Sequence, residues 1–168
     1  MADQGALHKN VLRLGPFRDE PQGGGFHPST GAQGSFERRL GSVLGLDFKL
    51  GYTRPDVAHR EDFFVFTSQI SVTTVAVDLL VHPLPPGKPV DWYLGLGVGY
   101  VAFRGPSPLP EDVASPVLRT GVDVQLGHSW RWAVGVDVEH LYTSSFDAKE
   151  GSADYSPIHY GAALSLRY

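Results

Sequence analysis

The side chains able to do chemistry fall into two groups. His140, with Ser144 or Ser145 and Asp154 shortly after it, supplies the types a hydrolytic centre uses: a base, a hydroxyl nucleophile and a carboxylate to orient the base. His128–Ser129 offers the same base and hydroxyl side by side, but adjacent residues of a strand face opposite ways. The second group is a set of charges scattered singly through apolar stretches. Its acids are Asp47, Asp78, Asp123, Asp137 and Glu139, joined by Glu37. Its bases are Lys49, Arg119 and Arg167, joined by Arg13 and Arg39, with His159 nearby. Charges withdrawn from water must pair, so this group predicts an internal network of ion pairs. The acids carry no metal-ligand spacing, and neither metal nor cofactor is expected. The chain has no cysteine, which removes disulfides, thiolate metal sites and cysteine nucleophiles.

The elements that must position these residues have a period of two. Leu44, Leu46, Phe48, Leu50 and Tyr52 alternate with Gly45, Asp47, Lys49 and Gly51. Trp92, Leu94, Leu96, Val98 and Tyr100 alternate with Tyr93, Gly95, Gly97 and Gly99. The same alternation runs through Leu118–Trp130, Trp132–Tyr142 and Ile158–Tyr168, and it places opposite sets on opposite faces of a strand. A further strand spans Gln69–His82, where Val75, Val77, Leu79 and Val81 oppose Asp78. Ile70 and Val72 fall out of that register, which predicts a bulge near Thr73. Weaker strands at Val11–Phe17 and Thr30–Arg39 complete a set of eight. Most run to about ten residues, the length that crosses a bilayer at a tilt.

Two further features set the apolar face toward lipid. The connections alternate: Arg18–Ser29, Arg54–Thr67, the proline-rich Arg104–Pro116 and Thr143–Pro157 are long, while those near Leu40–Gly41, Pro83–Val90 and Arg131 are shorter. Outer-membrane barrels segregate loop length by end in this way. Aromatic residues also sort to the strand ends. Trp92, Trp130, Trp132 and Tyr168 fall on one rim, and Tyr52, Tyr100, Tyr142 and Tyr160 on the other, as interfacial girdles do. The fold class expected is therefore all-β: an eight-stranded antiparallel up-and-down transmembrane β-barrel over residues 11–168, preceded by a flexible segment, residues 1–10. The competing arrangement is a soluble lipocalin-like barrel, with Leu94, Val98, Val124 and Val136 turned inward around a ligand.

Composition agrees with a membrane barrel. Only 19% of the 168 residues are charged, and Lys plus Arg at 14 against Asp plus Glu at 18 gives a formal net charge of −4. Nucleic acid is not an expected partner. The first residues lack the apolar core of a signal peptide, so the sequence reads either as cytoplasmic or as a mature chain from which that peptide has been removed. The interior charges admit two uses. In a barrel of eight strands they can fill the lumen as a salt-bridged plug, or they can line a narrow gated passage widened by Gly95, Gly97 and Gly99.

Three passages resemble the small eight-stranded outer-membrane barrels, which include the transmembrane domain of outer membrane protein A and the outer membrane protein W and X families. They are Trp92–Tyr100 after the proline-rich Pro83–Pro89, Leu44–Tyr52, and Tyr160–Tyr168, the last similar to the C-terminal aromatic signal read by the barrel-assembly machinery. The resemblance covers about residues 30–168. It implies a Gram-negative outer membrane, with membrane lipids, lipopolysaccharide and the assembly machinery as partners. It also implies a non-enzymatic structural or narrow-passage role, since members similar to outer membrane protein W are thought to pass small hydrophobic molecules. An apolar pocket in the outer half of the lumen would mark that role, and the Asp- and Gly-rich inner face offers little lining for one. The alternatives are an adhesin or receptor working through its loops, and a lipid A deacylase using His140, Ser144 and Asp154. The deacylase pattern has a Ser two positions after the His on one face, and Tyr142 stands there instead.

Overall fold

The computed structural model describes residues 9–22, 25–61, 64–106, 111–127, 131–143 and 155–168. Ten strands are formed: β1 (Asn10–Pro21), β2 (Ser29–Arg39), β3 (Leu44–Thr53), β4 (Asp56–Glu61), β5 (Phe64–Gln69), β6 (Ser71–Val81), β7 (Val90–Arg104), β8 (Val113–Leu126), β9 (Trp132–Leu141) and β10 (Pro157–Arg167). Eight of them close into one antiparallel barrel in the order β1-β10-β9-β8-β7-β6-β3-β2. Closure satisfies the backbone of every barrel strand without an edge, the condition for crossing lipid with sheet. β4 and β5 form a separate two-stranded sheet inserted between β3 and β6. The strand that begins at Asn10 takes one residue from the segment expected to be flexible, and residues 1–8 lie outside the described ones.

The alternation of residue type is an alternation of environment. Leu94, Val98, Val124 and Val136 are 42%, 63%, 47% and 62% exposed on the outer wall, which overturns the lipocalin-like arrangement. The opposite face carries Asp47, Asp78, Asp123, Asp137 and Glu139, each buried in the lumen. A soluble protein rarely exposes so large an apolar belt, whereas in lipid it is the favourable outward face.

The start of β1 and the end of β10 meet at one end, where the Asn10 and Tyr168 backbones exchange hydrogen bonds of 3.0 Å. The connections at that end are 40–43, 82–89 and 127–131, and those at the other end are 22–28, 54–70, 105–112 and 142–156. The end where β1 starts and β10 ends, which bears the shorter connections, is therefore periplasmic and the other external. Trp92, Trp132 and Tyr168 stand exposed toward the periplasmic rim, and Tyr52, Tyr100, Tyr142 and Tyr160 toward the external one. Trp130 lies outside the described residues.

The bulge expected near Thr73 is not formed. The ladder runs unbroken through Tyr52↔Thr73 and Thr53↔Val72 on one side, and Thr73↔Ala102 and Val72↔Phe103 on the other. Ile70 and Val72 simply point inward, at 2% and 0% exposure. They break the polar pattern of the inner face because the lumen itself becomes apolar at that height.

One contact closes the wall tightly. A Cβ built on Gly15 of β1 would lie 1.9 Å from the carbonyl oxygen of Ala162 and 2.8 Å from the Cα of Ala163, both in β10. The two strands that seal the barrel therefore approach too closely there for any side chain, and Pro16 beside it has no N–H to offer the ladder.

Candidate functional site

The lumen is the site, and it has two layers. The lower and middle part is a continuous ion-pair network. The Arg13 guanidinium lies 2.8 Å from Glu37, 3.0 Å from Asp123 and 3.6 Å from Asp47. Arg119 lies 2.6 Å from Asp47 and 2.9 Å from Asp137. Both guanidiniums stand over the Tyr93 ring, 5.0 and 5.5 Å from its centroid, and the buried Tyr93 side chain packs against Gly121, where a Cβ would lie 2.3 Å from its hydroxyl. Lys49 joins Glu139 at 2.9 Å and Asp137 at 3.3 Å, while Gln33 donates to Asp137 at 3.1 Å. Nearer the periplasm, Arg167 bridges Asp91 and Asp123 at 3.1 and 3.3 Å. Arg39 pairs with Glu37 and Asp91, and His82 lies 2.9 Å from Asp91 and 3.0 Å from Glu37. On the external side His159 lies 3.3 Å from Glu139 and 3.6 Å from Asp19.

The structure thus brings together all the interior residues singled out in the sequence: Glu37, Asp47, Lys49, Asp78, Arg119, Asp123, Asp137, Glu139, His159, Arg167, Arg13 and Arg39. Asp78 is the least well held, with Arg119 3.9 Å away and neither carboxylate oxygen hydrogen-bonded. Asp19, Gln33, His82 and Asp91 escaped the sequence reading, and Tyr93 was assigned its inner face by alternation but no role. Asp19 lies in the stretch expected as the first connection, Asp91 between the proline-rich connection and the strand from Trp92, and His82 at the last position of the expected strand Gln69–His82. Alternation carried two residues further along β1 and β7 would have found Asp19 and Asp91.

Packing in this layer is close. A void of about 10 Å³ lined by Arg13, Gln33, Lys49 and Arg119 among others is left, room for no more than about one water. Eight carboxylates (Asp19, Glu37, Asp47, Asp78, Asp91, Asp123, Asp137, Glu139) face five Lys or Arg side chains (Arg13, Arg39, Lys49, Arg119, Arg167). His82 and His159 add two imidazoles to the basic side, so the layer is close to balanced in charge and densely filled.

Above it the lumen turns apolar. Phe26, Val57, Ile70, Val72, Ala76, Val101, Phe103, Val117, Leu141 and Tyr155 form one buried cluster. Tyr155 is its keystone, with ring centroids 4.8 Å from Phe26 and 5.3 Å from Phe103. Its hydroxyl donates to Asp19 at 2.7 Å and so ties the apolar cap to the charged layer. Burial against Asp19 pushes the Tyr155 phenol well above its ordinary range. This corrects the expectation that the inner face offers little apolar lining. The lining comes from strand ends beyond the charged stretch, and from Phe26, Val57 and Tyr155 in the connections, where strand periodicity gives no signal.

The hydrolytic set is only partly described, because Ser144 and Asp154, like Ser145 and His128–Ser129, lie outside the described residues. His140 is on the outer wall of β9. Its Nε2 lies 3.2 Å from the hydroxyl of Ser156, and its ring packs tilted against Tyr142 with centroids 3.9 Å apart. Ser156 donates to the Leu141 carbonyl at 3.0 Å.

No family model and no curated protein sequence matches this chain. Solved structures match it over nearly all its length. The outer membrane protein OprG from Pseudomonas aeruginosa superposes with a TM-score of 0.75 at 14% identity, covering 98% of each chain. Neisserial surface protein A gives 0.65 at 13%, covering 95% of this chain and 97% of its own. The Escherichia coli outer membrane protein W gives 0.59 at 15%, covering 100% of both. The chain has the fold of the small eight-stranded outer-membrane barrels. That fold comes with an exposed apolar belt around the eight barrel strands, as an outer-membrane barrel carries.

Proposed function

We propose that this outer-membrane barrel is a non-enzymatic conduit for small apolar molecules, taken up at the external mouth and not conducted as ions along the axis. The observation that carries the reading is the apolar cluster of Phe26, Val72, Phe103 and Tyr155 seated on the ion-paired layer, to which the Tyr155 hydroxyl ties it through Asp19. An apolar solute gains by leaving water for the upper lumen, by about 25 cal/mol per Å² of apolar surface buried. The charged layer below it would impose desolvation on any ion, so the way onward for an apolar solute is into the wall and the bilayer. A likeness in fold to outer membrane protein W supports the reading without specifying a solute.

Two measurements test it together. Refolded protein inserted in a planar bilayer is expected to give no discrete current steps. Cells expressing the full chain should take up an apolar dye such as N-phenyl-1-naphthylamine several-fold faster than cells without it. Tyr155→Ala, which loosens the cap, should raise that rate further. Steady ion currents together with unchanged dye uptake would sink the proposal and restore the gated passage.

One observation bears on the deacylase alternative. The His140–Ser156 contact is a base beside a hydroxyl at the external interface, yet the hydroxyl proton is directed to the Leu141 carbonyl. No carboxylate among the described residues orients the His140 ring. The pair is better suited to clip the last external connection to β9. His140→Ala should then leave lipid A acylation unchanged when lipid from expressing cells is examined by mass spectrometry; a loss of deacylated product in that variant would instead assign the chemistry to His140.

A further inference from the structure

Outside the lumen, the external rim of β3, β6 and β7 gathers groups that neither barrel stability nor passage uses. Tyr52, Arg54, Ser71 and Arg104 all occupy outward-facing positions there. Ser71 stands opposite Arg104 in the ladder. The Tyr52 hydroxyl is 3.2 Å from the Ser71 hydroxyl. Arg54 donates through Nε to the Tyr52 oxygen at 2.6 Å and lies over the Tyr52 ring, 5.5 Å from its centroid. This braces the Arg54 guanidinium while using one of its five donors. Among the described residues Arg54 has no carboxylate partner. Arg104 is 70% exposed, and its one carboxylate, Asp112, is held through a single nitrogen, Nη1, at 3.0 and 3.1 Å. Asp112 is in turn fixed by the Phe103 amide at 2.9 Å, which holds its carboxyl below the usual range.

We propose that Tyr52, Arg54, Ser71 and Arg104 form a subsite for the phosphate headgroup of an outer-leaflet lipid. Several features make the ligand a phosphate on a lipid and not a soluble anion. The cluster sits at the external end of the apolar belt, directly above Leu50 and Val75, which are 56% and 46% exposed. A lipid whose acyl chains lie along that belt presents its phosphate at this height. A forked guanidinium matches the oxygens of a phosphate bidentately. A hydroxyl pair beside it supplies further donors, and the aromatic ring under Arg54 belongs at the interface. Arg18 on β1 gives the contrast: it is also exposed at this rim, but it is engaged by Glu20 at 2.5 Å.

The test uses the full chain, refolded in a zwitterionic detergent and titrated with bis-phosphorylated lipid A, the same lipid without phosphates, and inorganic phosphate, with binding read by native mass spectrometry. Folding of each variant is checked by the heat-dependent shift in gel mobility. Phosphorylated lipid A should bind, with Arg54→Gln weakening it about tenfold. Arg54→Lys, which keeps the charge and loses the fork, should weaken it less. Arg18→Gln should have no effect, and the dephosphorylated lipid should bind all variants equally weakly. Equal binding by folded Arg54→Gln and the parent would overturn the subsite, as would an equal loss in Arg18→Gln, which would reduce it to general rim charge. Displacement of the lipid by millimolar inorganic phosphate would overturn the lipid as its ligand.

Discussion

Arg119→Met is expected to destabilise the barrel by about 3–5 kcal/mol, the cost of removing one partner from a buried ion pair. The urea midpoint in detergent should fall accordingly, and refolding yield with it. Arg119 is 2% exposed and faces Asp47, Asp137 and, at 3.9 Å, Asp78. Methionine nearly keeps the volume, so the loss would be electrostatic: two or three carboxylates would be left in the lumen with only Arg13 and Lys49 to answer them. Removing one acid along with the base, in Arg119→Met/Asp47→Leu, should recover part of the loss, because the fault is an unmatched charge and not an absent attraction. Arg104→Met, which breaks an exposed pair with Asp112, should leave the midpoint almost unchanged, because solvent screens such a pair. Equal midpoints for Arg119→Met and the parent would show that the network tolerates an unpaired acid, through water or protonation, and is not a closed seal.

Gly15→Ala should be as severe for a different reason. The new Cβ would need to occupy the position of the Ala162 carbonyl group, 1.9 Å from its oxygen. Backbone cannot give way as a flexible side chain can, and overpacking of this kind costs about 3 kcal/mol or more. The clash falls on the β1–β10 seam, so relief requires the barrel to part, exposing unpaired backbone to lipid. The expected result is loss of the compact, heat-modifiable species on gels, with little protein refolded. Gly41→Ala, at a periplasmic turn with open space around it, is the matched control and should refold like the parent. A Gly15→Ala barrel that refolds normally would mean that the seam is looser than the close approach implies.

Much of the charged layer was legible because it obeys the strand period. Asp47, Lys49, Arg119, Asp123, Asp137, Glu139 and Arg167 are each two residues from another inward position, and alternation alone assigns their face. The limits of legibility have causes of their own. Asp91 falls between the proline-rich connection and the strand expected from Trp92, yet β7 begins at Val90 and turns Asp91 back into the lumen; His82 ends the expected strand Gln69–His82, where nothing local signals its carboxylate partners. Ile70 and Val72 looked like a slip in register only because the inner face was assumed to be polar throughout. The sheet of β4 and β5 was read as loop, since it packs no belt against lipid and so lacks a long alternating pattern.

The sequence by itself determined the strand number of the barrel, which face meets the membrane, and which end bears the short turns, because each rests on local alternation and turn chemistry imposed by lipid. Only the tertiary structure decided which charge pairs with which, as Arg13 with Asp123, or Lys49 with Glu139, since these partners come from strands that are not neighbours in the barrel, with separations as large as 110 residues. It alone also decided that the upper lumen is apolar and capped. Phe26, Val57 and Tyr155 reach that place from connections, where the path of the chain and not a residue period sets where a side chain points.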